Sequence, residues 1–329
     1  MPDLYDVTAI GNAIVDVIAP AQEGFVEAHG FTKGAMNLID EAQATSLYAA
    51  MAPGIETSGG SAGNTVAGIA SLGGRAAFLG KVADDQLGEV FAHDMRAIGA
   101  AFDCASLRGG PATARSLINV TPDGQRTMCT FLGASVHVSP ADIDKALIEA
   151  SRIVYLEGYL FDAEAARRAF EQVAAIGQAA GRMIAMTLSD PFVVERHRDD
   201  LLAFIDQGVD LLFANEEEAK SLFRTGDFDT AVAGLRGRVK IAVVTRSEKG
   251  SVAVTADETV AVPAAPVEKV VDTTGAGDQY AAGFMFGLAG GRPLDVCARL
   301  GSMAAAEVIS HYGPRPQVPL KDLAAREGY

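Results

Sequence analysis

This chain predicts an α/β fold with a mostly parallel sheet covered on both faces. Three observations carry that prediction. Apolar, β-rich runs of strand length alternate with helical patterns along most of the chain. Its 329 residues suffice for one large α/β core with a small appendage. Several of the 35 glycines gather at turns between the two kinds of segment.

The elements follow in order. "DVTAIGN" at 6–12 reads as a buried strand. "AGNTVAGIASLG" at 62–73 reads as a helix with small residues on one face. "AAFLGKV" at 76–82 is a strand and "LGEVFAHDMRAIG" at 87–99 a helix. Four strand-like runs come next: "RIVYLEGY", "RMIAMTLS", "VDLLFANE" and "VKIAVVTR". Helical segments near 163–180, 191–206 and 215–223 separate the first three and follow the third. Strand–helix–strand alternation argues for a parallel sheet with helices on both sides.

Two regions break the rhythm, about 14–40 and 102–132. The first holds "IVDVIAP" and "GAMNLID"; the second holds "ARSLINV" and "QRTMCTF" around the turn "TPDGQ". Pro-Asp-Gly is a strong hairpin signal. Both regions read as antiparallel and partly exposed. Either they pair into one small sheet beside the main one, or they are two unrelated surface hairpins. No internal repeat or low-complexity linker divides the chain, so 1–329 reads as a single domain.

Composition narrows the function. Hydrophobic residues are 49% and charged residues 21%, an ordinary globular balance. The formal net charge of −15 repels nucleic acid and anionic membrane, so neither is an expected partner. A small anionic ligand remains compatible, because a local site can be positive inside an acidic whole. Cys104, Cys129 and Cys297 have no metal or redox spacing, and an odd count suits a reducing cytoplasm. The opening "MPDLYDVTAIGN" has no basic, apolar leader pattern, and no stretch reaches the roughly 18 apolar residues of a membrane span. The five histidines lie far apart, which argues against a zinc site.

Four stretches carry chemistry. In "DTTGAGDQYAAGF" at 272–284, Tyr280, Phe284 and Leu288 recur at helical spacing, so a helix starts near Gly275–Gly277. A helix N-terminus with glycines is a ready site for phosphate oxygens. Asp278 in its first turn is held ionised by the dipole and can accept a proton from an attacking hydroxyl. The plainer reading is a cap and tight turn. In "GGSAGNTVAGIASLGG" at 59–74, Gly59 and Gly60 let a ligand lie against the backbone, and the Asn64 amide can donate and accept toward hydroxyls. A glycine-rich connection with an Asn cap fits as well. In "ANEEEAKSLF" at 214–223, Asn215 and Glu218 share a helical face and suit Mg²⁺ directly or through water. An N-cap followed by first-turn acids is the bland alternative. "VVTRSEKGS" at 243–251 runs a buried strand into a turn ending at Gly250, where α/β sheets bind ligands. "GGRAAFLGK" at 73–81 has the wrong spacing for a Walker loop, and no GxGxxG follows the first strand.

In this order, the four stretches resemble the PfkB or ribokinase-like carbohydrate kinases over nearly the whole chain. "DTTGAGDQYAAGFM" and "GGSAGN" are similar to that family's two signatures. The resemblance implies a three-layer α/β/α kinase domain whose two irregular regions form a β-sheet lid. It implies Asp278 as catalytic base and Gly275, Ala276 and Gly277 as anion hole. It implies Glu218 organising Mg²⁺ through water, with Asn215 near the phosphates. Thr245, Ser247 and the turn through Gly250 would line the ATP site, with Gly277 at its phosphate end. Asp272 and Thr274, with backbone near 311–313, match where members hold a monovalent cation such as K⁺. Several stretches resemble the adenosine kinase branch. They imply Asn12 and Asp16 on ribose hydroxyls, Tyr159 on the purine, and Arg126 as a lid arginine for phosphate charge.

The expected activity is therefore ATP-dependent phosphorylation of a primary hydroxyl of a nucleoside, foremost the 5′-hydroxyl of adenosine. The near rival is a sugar kinase acting on ribose, fructose or a related ketose. A binding protein that kept the fold and lost catalysis is argued against by the intact Asp278, glycines and Asn-x-x-Glu. An NAD-dependent oxidoreductase lacks its fingerprint. The expected state is a monomer or homodimer, the latter if lid edges pair.

Overall fold

The computed structural model describes residues 5–329. Residues 1–4, the start of the stretch read for a leader, lie outside the described residues. The described residues form thirteen strands: β1 (Tyr5–Ile10), β2 (Ile14–Pro20), β3 (Met36–Leu38), β4 (Ile55–Gly59), β5 (Ala76–Leu79), β6 (Ala114–Val120), β7 (Arg126–Phe131), β8 (Ser151–Glu157), β9 (Met183–Thr187), β10 (Leu211–Asn215), β11 (Ile241–Thr245), β12 (Ser251–Val254) and β13 (Thr259–Val262). Eight of them build the main sheet in the order β13-β12-β11-β10-β9-β8-β1-β5. From β11 through β5 every pairing is parallel, and the β12–β13 hairpin adds an antiparallel edge.

Side-chain alternation along these strands makes the three layers. Ile153 and Tyr155 of β8 face one core, with Phe78, Phe213 and Val243. Val154 and Leu156 face the other, with Met186, Leu212 and Val244. Helices Ser61–Ser71 and Ala276–Ala289 cover the first face through Val66, Ile69, Tyr280 and Phe284. Helices Glu164–Ala179 and Pro191–Gly208 cover the second through Phe170, Val173, Leu201 and Phe204. Each such side chain stabilises by about 1.5–3 kcal/mol when fully buried. Parallel strands need both faces covered, and the two-sided apolar runs in the sequence express that.

Five strands form a second sheet in the order β3-β7-β6-β2-β4. The hairpin β6–β7 turns at Pro122-Asp123-Gly124, as the turn residues predict. Region 14–40, expected to be antiparallel, is so only where β2 pairs with β4. β2 runs parallel to β6, and β3 runs parallel to β7, on opposite sides of the hairpin. β2 and β3 still run in opposite directions, but the helix Phe25–Ala28 and its flanking loops place β3 beyond the hairpin, so the two do not pair. The two irregular regions thus belong to one sheet, joined by β4, a strand the sequence reading missed. Val15, Val17, Leu117, Cys129 and Phe131 tie this sheet into the first core.

Candidate active site

Parallel strands all end on the same side of a sheet, and ligands of open α/β folds bind there. Asn12 follows β1, Glu157 ends β8, Asn215 ends β10 and Thr245 ends β11. Asn215 and Thr245 are direct neighbours across β10 and β11. The glycine-rich helix start at Ser61 and the turn before Ala276 close over this edge. They can approach because Gly68 faces Ala282: a Cβ on Gly68 would lie 2.7 Å from that of Ala282.

Asp278 is the centre. It sits in the first turn of helix Ala276–Ala289, behind Gly275 in the left-handed region (φ +79°). Ser61 Oγ donates to its Oδ1 at 2.6 Å, and Asn64 Nδ2 donates to its Oδ2 at 3.0 Å. Burial pushes the carboxyl up to about 6, against the two hydrogen bonds that pull it down. Ser61 was not singled out in the sequence, although it stands inside "GGSAGN". The anion-hole expectation is refined at Ala276, whose N–H closes the turn onto Thr273 O at 3.2 Å. The amides of Gly277 and Asp278 have no backbone partner among the described residues and point the helix end outward.

Asp16 lies in the second sheet, buried, and burial pushes its carboxyl up to about 7. Arg315 and Arg126 oppose that rise, and Asp278 adds to it. Gly59 is required beside it, since a Cβ there would sit 2.5 Å from Asp16 Cγ. Asn12, expected on ribose hydroxyls, is bonded within the protein. Its Nδ2 donates to Glu157 Oε1 at 2.7 Å, and Ser135 Oγ donates to its Oδ1 at 2.8 Å. Both ends of the amide thus have protein partners. Glu157, unnoticed in the sequence, also accepts from Ala62 N at 2.8 Å and so pins the start of helix Ser61–Ser71 to β8. Burial pushes Glu157 up to about 7. Tyr159 follows β8 and sits within electrostatic reach of Asp190, Glu157, Asp278 and Glu218, with burial the main cause of its raised phenol.

Asn215 and Glu218 form a reciprocal capping box. Asn215 Oδ1 accepts from Glu218 N at 2.8 Å, while Asn215 Nδ2 and N donate to the Glu218 carboxylate at 2.7 and 2.9 Å. The bland reading therefore holds, but it does not exclude the other. Glu218 is buried, and burial with the nearby Asp190 pushes it up to about 7. Each of its oxygens keeps a lone pair beyond its one bond, which fits a divalent cation held through water. Thr245 leads into a turn where Ser247 has φ +51° and Gly250 φ +85°.

Arg126 and Asp272 meet each other. Arg126 Nη1 lies 2.5 Å from Asp272 Oδ2, and its guanidinium covers the Tyr312 ring at 4.9 Å. Asp272 also accepts from Thr274 N and Oγ1 at 3.1 and 2.7 Å and from Gly313 N at 3.0 Å. Every one of these partners is a donor. Asp272 and Thr274, expected near a monovalent cation, are bonded to each other and to the loop at Gly313. Arg126, expected to face phosphate, is paired with Asp272, in the segment before helix Ala276–Ala289.

The sequence profile described as pfkB family carbohydrate kinase matches residues 52–321. The chain belongs to this family. Its members transfer phosphoryl groups, and this chain is a phosphotransferase of that kind. Its fold is similar to the crystal structure of adenosine kinase from Sinorhizobium meliloti, 53% identical, covering 99% of this chain and 100% of that one, with a TM-score of 0.91. A probable sugar kinase protein from Rhizobium etli CFN 42 is 46% identical over 99% of each chain, with a TM-score of 0.92. A cytidine kinase of Thermococcus kodakarensis is 36% identical over 147 residues, which span 44% of this chain and 52% of that one. No helix of the described residues is long and apolar enough to cross a membrane.

Proposed function

We propose that this pfkB-family kinase transfers the γ-phosphoryl group of ATP to the 5′-hydroxyl of adenosine. One observation carries the chemistry. A buried carboxylate, Asp278, is held by Ser61 and Asn64 in the first turn of a helix whose Gly277 and Asp278 amides have no backbone partner among the described residues. The acceptor follows from the full-length identity to the Sinorhizobium adenosine kinase.

In this reading Asp16 takes hydrogen bonds from ribose hydroxyls and aims the 5′-hydroxyl at Asp278. Asp278 accepts its proton as the oxygen attacks phosphorus. The amides of Gly277 and Asp278 receive the charge that builds on the transferred group. Thr245, Ser247 and Gly250 line the nucleotide. Mg²⁺, when bound, supplies positive charge against the phosphate oxygens, and Glu218 with Asn215 would hold it through water. Arg126 reaches the phosphates only by leaving Asp272, so substrate binding and movement of the small sheet are linked. Closure of that sheet keeps water, a competing acceptor, from the phosphoryl group. Three unpaired cysteines are in keeping with a cytoplasmic enzyme.

The test is a coupled assay of ADP formation across adenosine, guanosine, inosine, ribose and fructose. Turnover on adenosine is expected. Turnover on free sugars with none on any nucleoside would overturn the reading. The sugar-kinase alternative stays in the panel because of the 46% identical probable sugar kinase.

A further inference from the structure

Arg315 follows the last long helix, in "GPRPQ", and no motif or periodicity marks it. Its loop is fastened to the reacting centre. A Cβ on Gly275 would lie 2.7 Å from Pro314 Cα, and Gln279 Nε2 donates to Pro314 O at 3.0 Å and to Asn64 O at 2.9 Å. The guanidinium is delivered to the start of the helix that carries Ser61 and Asn64. Arg315 Nη2 would be 3.9 Å from a Cβ on Gly63, four residues along from Gly59, which touches Asp16. It also reaches the far wall, 4.0 Å from Met95 Sδ, next to Asp94, which accepts from Ser58 N at 2.9 Å.

This guanidinium is poorly satisfied. Its Nε is enclosed and has no hydrogen-bond partner. No carboxylate forms an ion pair with it among the described residues, though Asp16 and Asp94 both act on it. Asp16 is its complement: a buried carboxylate that no side chain or backbone group among the described residues bonds. A buried charge of either sign is costly without partners. Here one acceptor and one donor lie within electrostatic reach of each other, each incomplete. A hydroxyl completes both at once, since it donates its proton and accepts at its oxygen. A neighbouring pair of hydroxyls does so twice, and the planar fork of arginine matches two adjacent acceptors.

We propose that Arg315 is a substrate-binding residue that donates to the oxygens of the same sugar-ring hydroxyls whose protons Asp16 accepts. The inference rests on the proposed function for the identity of the sugar, a ribofuranose diol, but not for the pairing. The pair would discriminate by requiring both partners of a diol. An acceptor lacking one hydroxyl leaves Arg315 or Asp16 unmatched.

The experiment is a cycle between protein and substrate. Wild type, Arg315→Met and Arg315→Lys are assayed for kcat/KM on adenosine, 2′-deoxyadenosine and 3′-deoxyadenosine. Arg315→Met is expected to lose roughly ten- to hundredfold on adenosine, the effect of removing a charged hydrogen bond. The loss should fall mainly in KM and should be several-fold smaller on the deoxy substrate whose missing hydroxyl Arg315 serves. Arg315→Lys should recover part of it and covers the case in which the Met variant does not fold. A second readout separates binding from mere support. Asp16 is faced by Arg315, Arg126 and Asp278. Losing Arg315 should move the acid limb of kcat/KM to higher pH, whereas a loss through misfolding lowers the profile without moving it. Equal losses on all three substrates, or no loss, overturn the proposal. A wild type inactive on adenosine refutes the nucleoside reading alone; the same cycle on the sugar it accepts, with its deoxy analogues, then decides Arg315.

Discussion

Asp278 and Asp16 are both buried carboxyls raised well above the ordinary range, yet their surroundings are opposite. Asp278 is bonded at both oxygens by Ser61 and Asn64. Asp16 has two arginines near and no hydrogen bond among the described residues. The first arrangement fixes a group in place before anything binds. The second leaves a group unsatisfied until something binds. A base must be aligned in advance, because alignment during the reaction costs rate. A recognition group gains by being incomplete, because only the right ligand then relieves it. The two regions differ accordingly: the helix ends over the main sheet hold Asp278 by fixed hydrogen bonds, and the small sheet carries Asp16 with none among the described residues.

The largest break in the comparison is Asp278→Asn. It keeps the shape and removes the base, so kcat should fall by about 10²- to 10⁴-fold. Acceptor affinity, measured by calorimetry, should stay within a few-fold. Asp278 must also be ionised to act, so wild-type kcat, measured with the acceptor bound on Asp16, should fall below pH about 6, the value to which burial raises Asp278. Unchanged turnover in the variant would remove Asp278 as base.

Gly59→Ala breaks the other side. The new Cβ meets the Asp16 carboxylate, and forcing a group into packed space costs about 1–3 kcal/mol. We expect KM for the acceptor to rise by roughly ten- to hundredfold while KM for ATP holds, as that energy converts at 1.4 kcal/mol per decade. Equal rises for both substrates would show that Asp16 does not act on the acceptor alone.

Ser61→Ala sharpens the comparison by making Asp278 more like Asp16. The Ser61 bond lowers the Asp278 carboxyl, so its loss raises it further. The acid limb of the rate profile should move to higher pH. At pH 6 the loss should be about tenfold, in keeping with one hydrogen bond to a charged group, and it should shrink by pH 8. A uniform drop at all pH values would mean that Ser61 serves only the fold.

The two carboxylates were not equally legible. The strands of the main sheet announce themselves as apolar β-branched runs, and the turn before Ala276 needs its glycines, so both stand out along the chain. Asp278 could be read because all its machinery but Ser61 and Asn64 is local. Asp16, Gly59 and Arg315 are scattered: the pairing of β2 with β4 sets Gly59 beside Asp16, and the loop after helix Leu294–Ile309 brings Arg315 within electrostatic reach. The parallel pairing of β2 with β6 was hidden for a similar reason. A strand's alternation does not tell the direction of its neighbour, and the polar "IETSG" of β4 has almost no alternation to read. Glu157 looked like the charged end of a strand, although its carboxylate holds Asn12 and Ala62.

The smallest expected effect concerns stability. In the folded chain the Asp278 carboxyl titrates near 6, above its unfolded value of 3.8. The fold therefore prefers the protonated form, and ionising Asp278 works against folding. Its contribution to stability is fully present below about pH 3.8 and is lost as pH rises through about 6. Asn cannot ionise, so Asp278→Asn should gain on wild type as pH rises. The difference between their melting temperatures should grow from pH 4 to pH 7 by a few degrees, on the scale of about 2–4 °C per kcal/mol for a chain somewhat smaller than this. Glu218 titrates alike in both proteins and cancels, whereas Asp16 and Glu157, both raised by the Asp278 charge, are raised less in the variant and add to its gain with pH. A gap that stays flat with pH would mean that burial does not govern Asp278, and that its two hydrogen bonds hold it as an ordinary carboxylate.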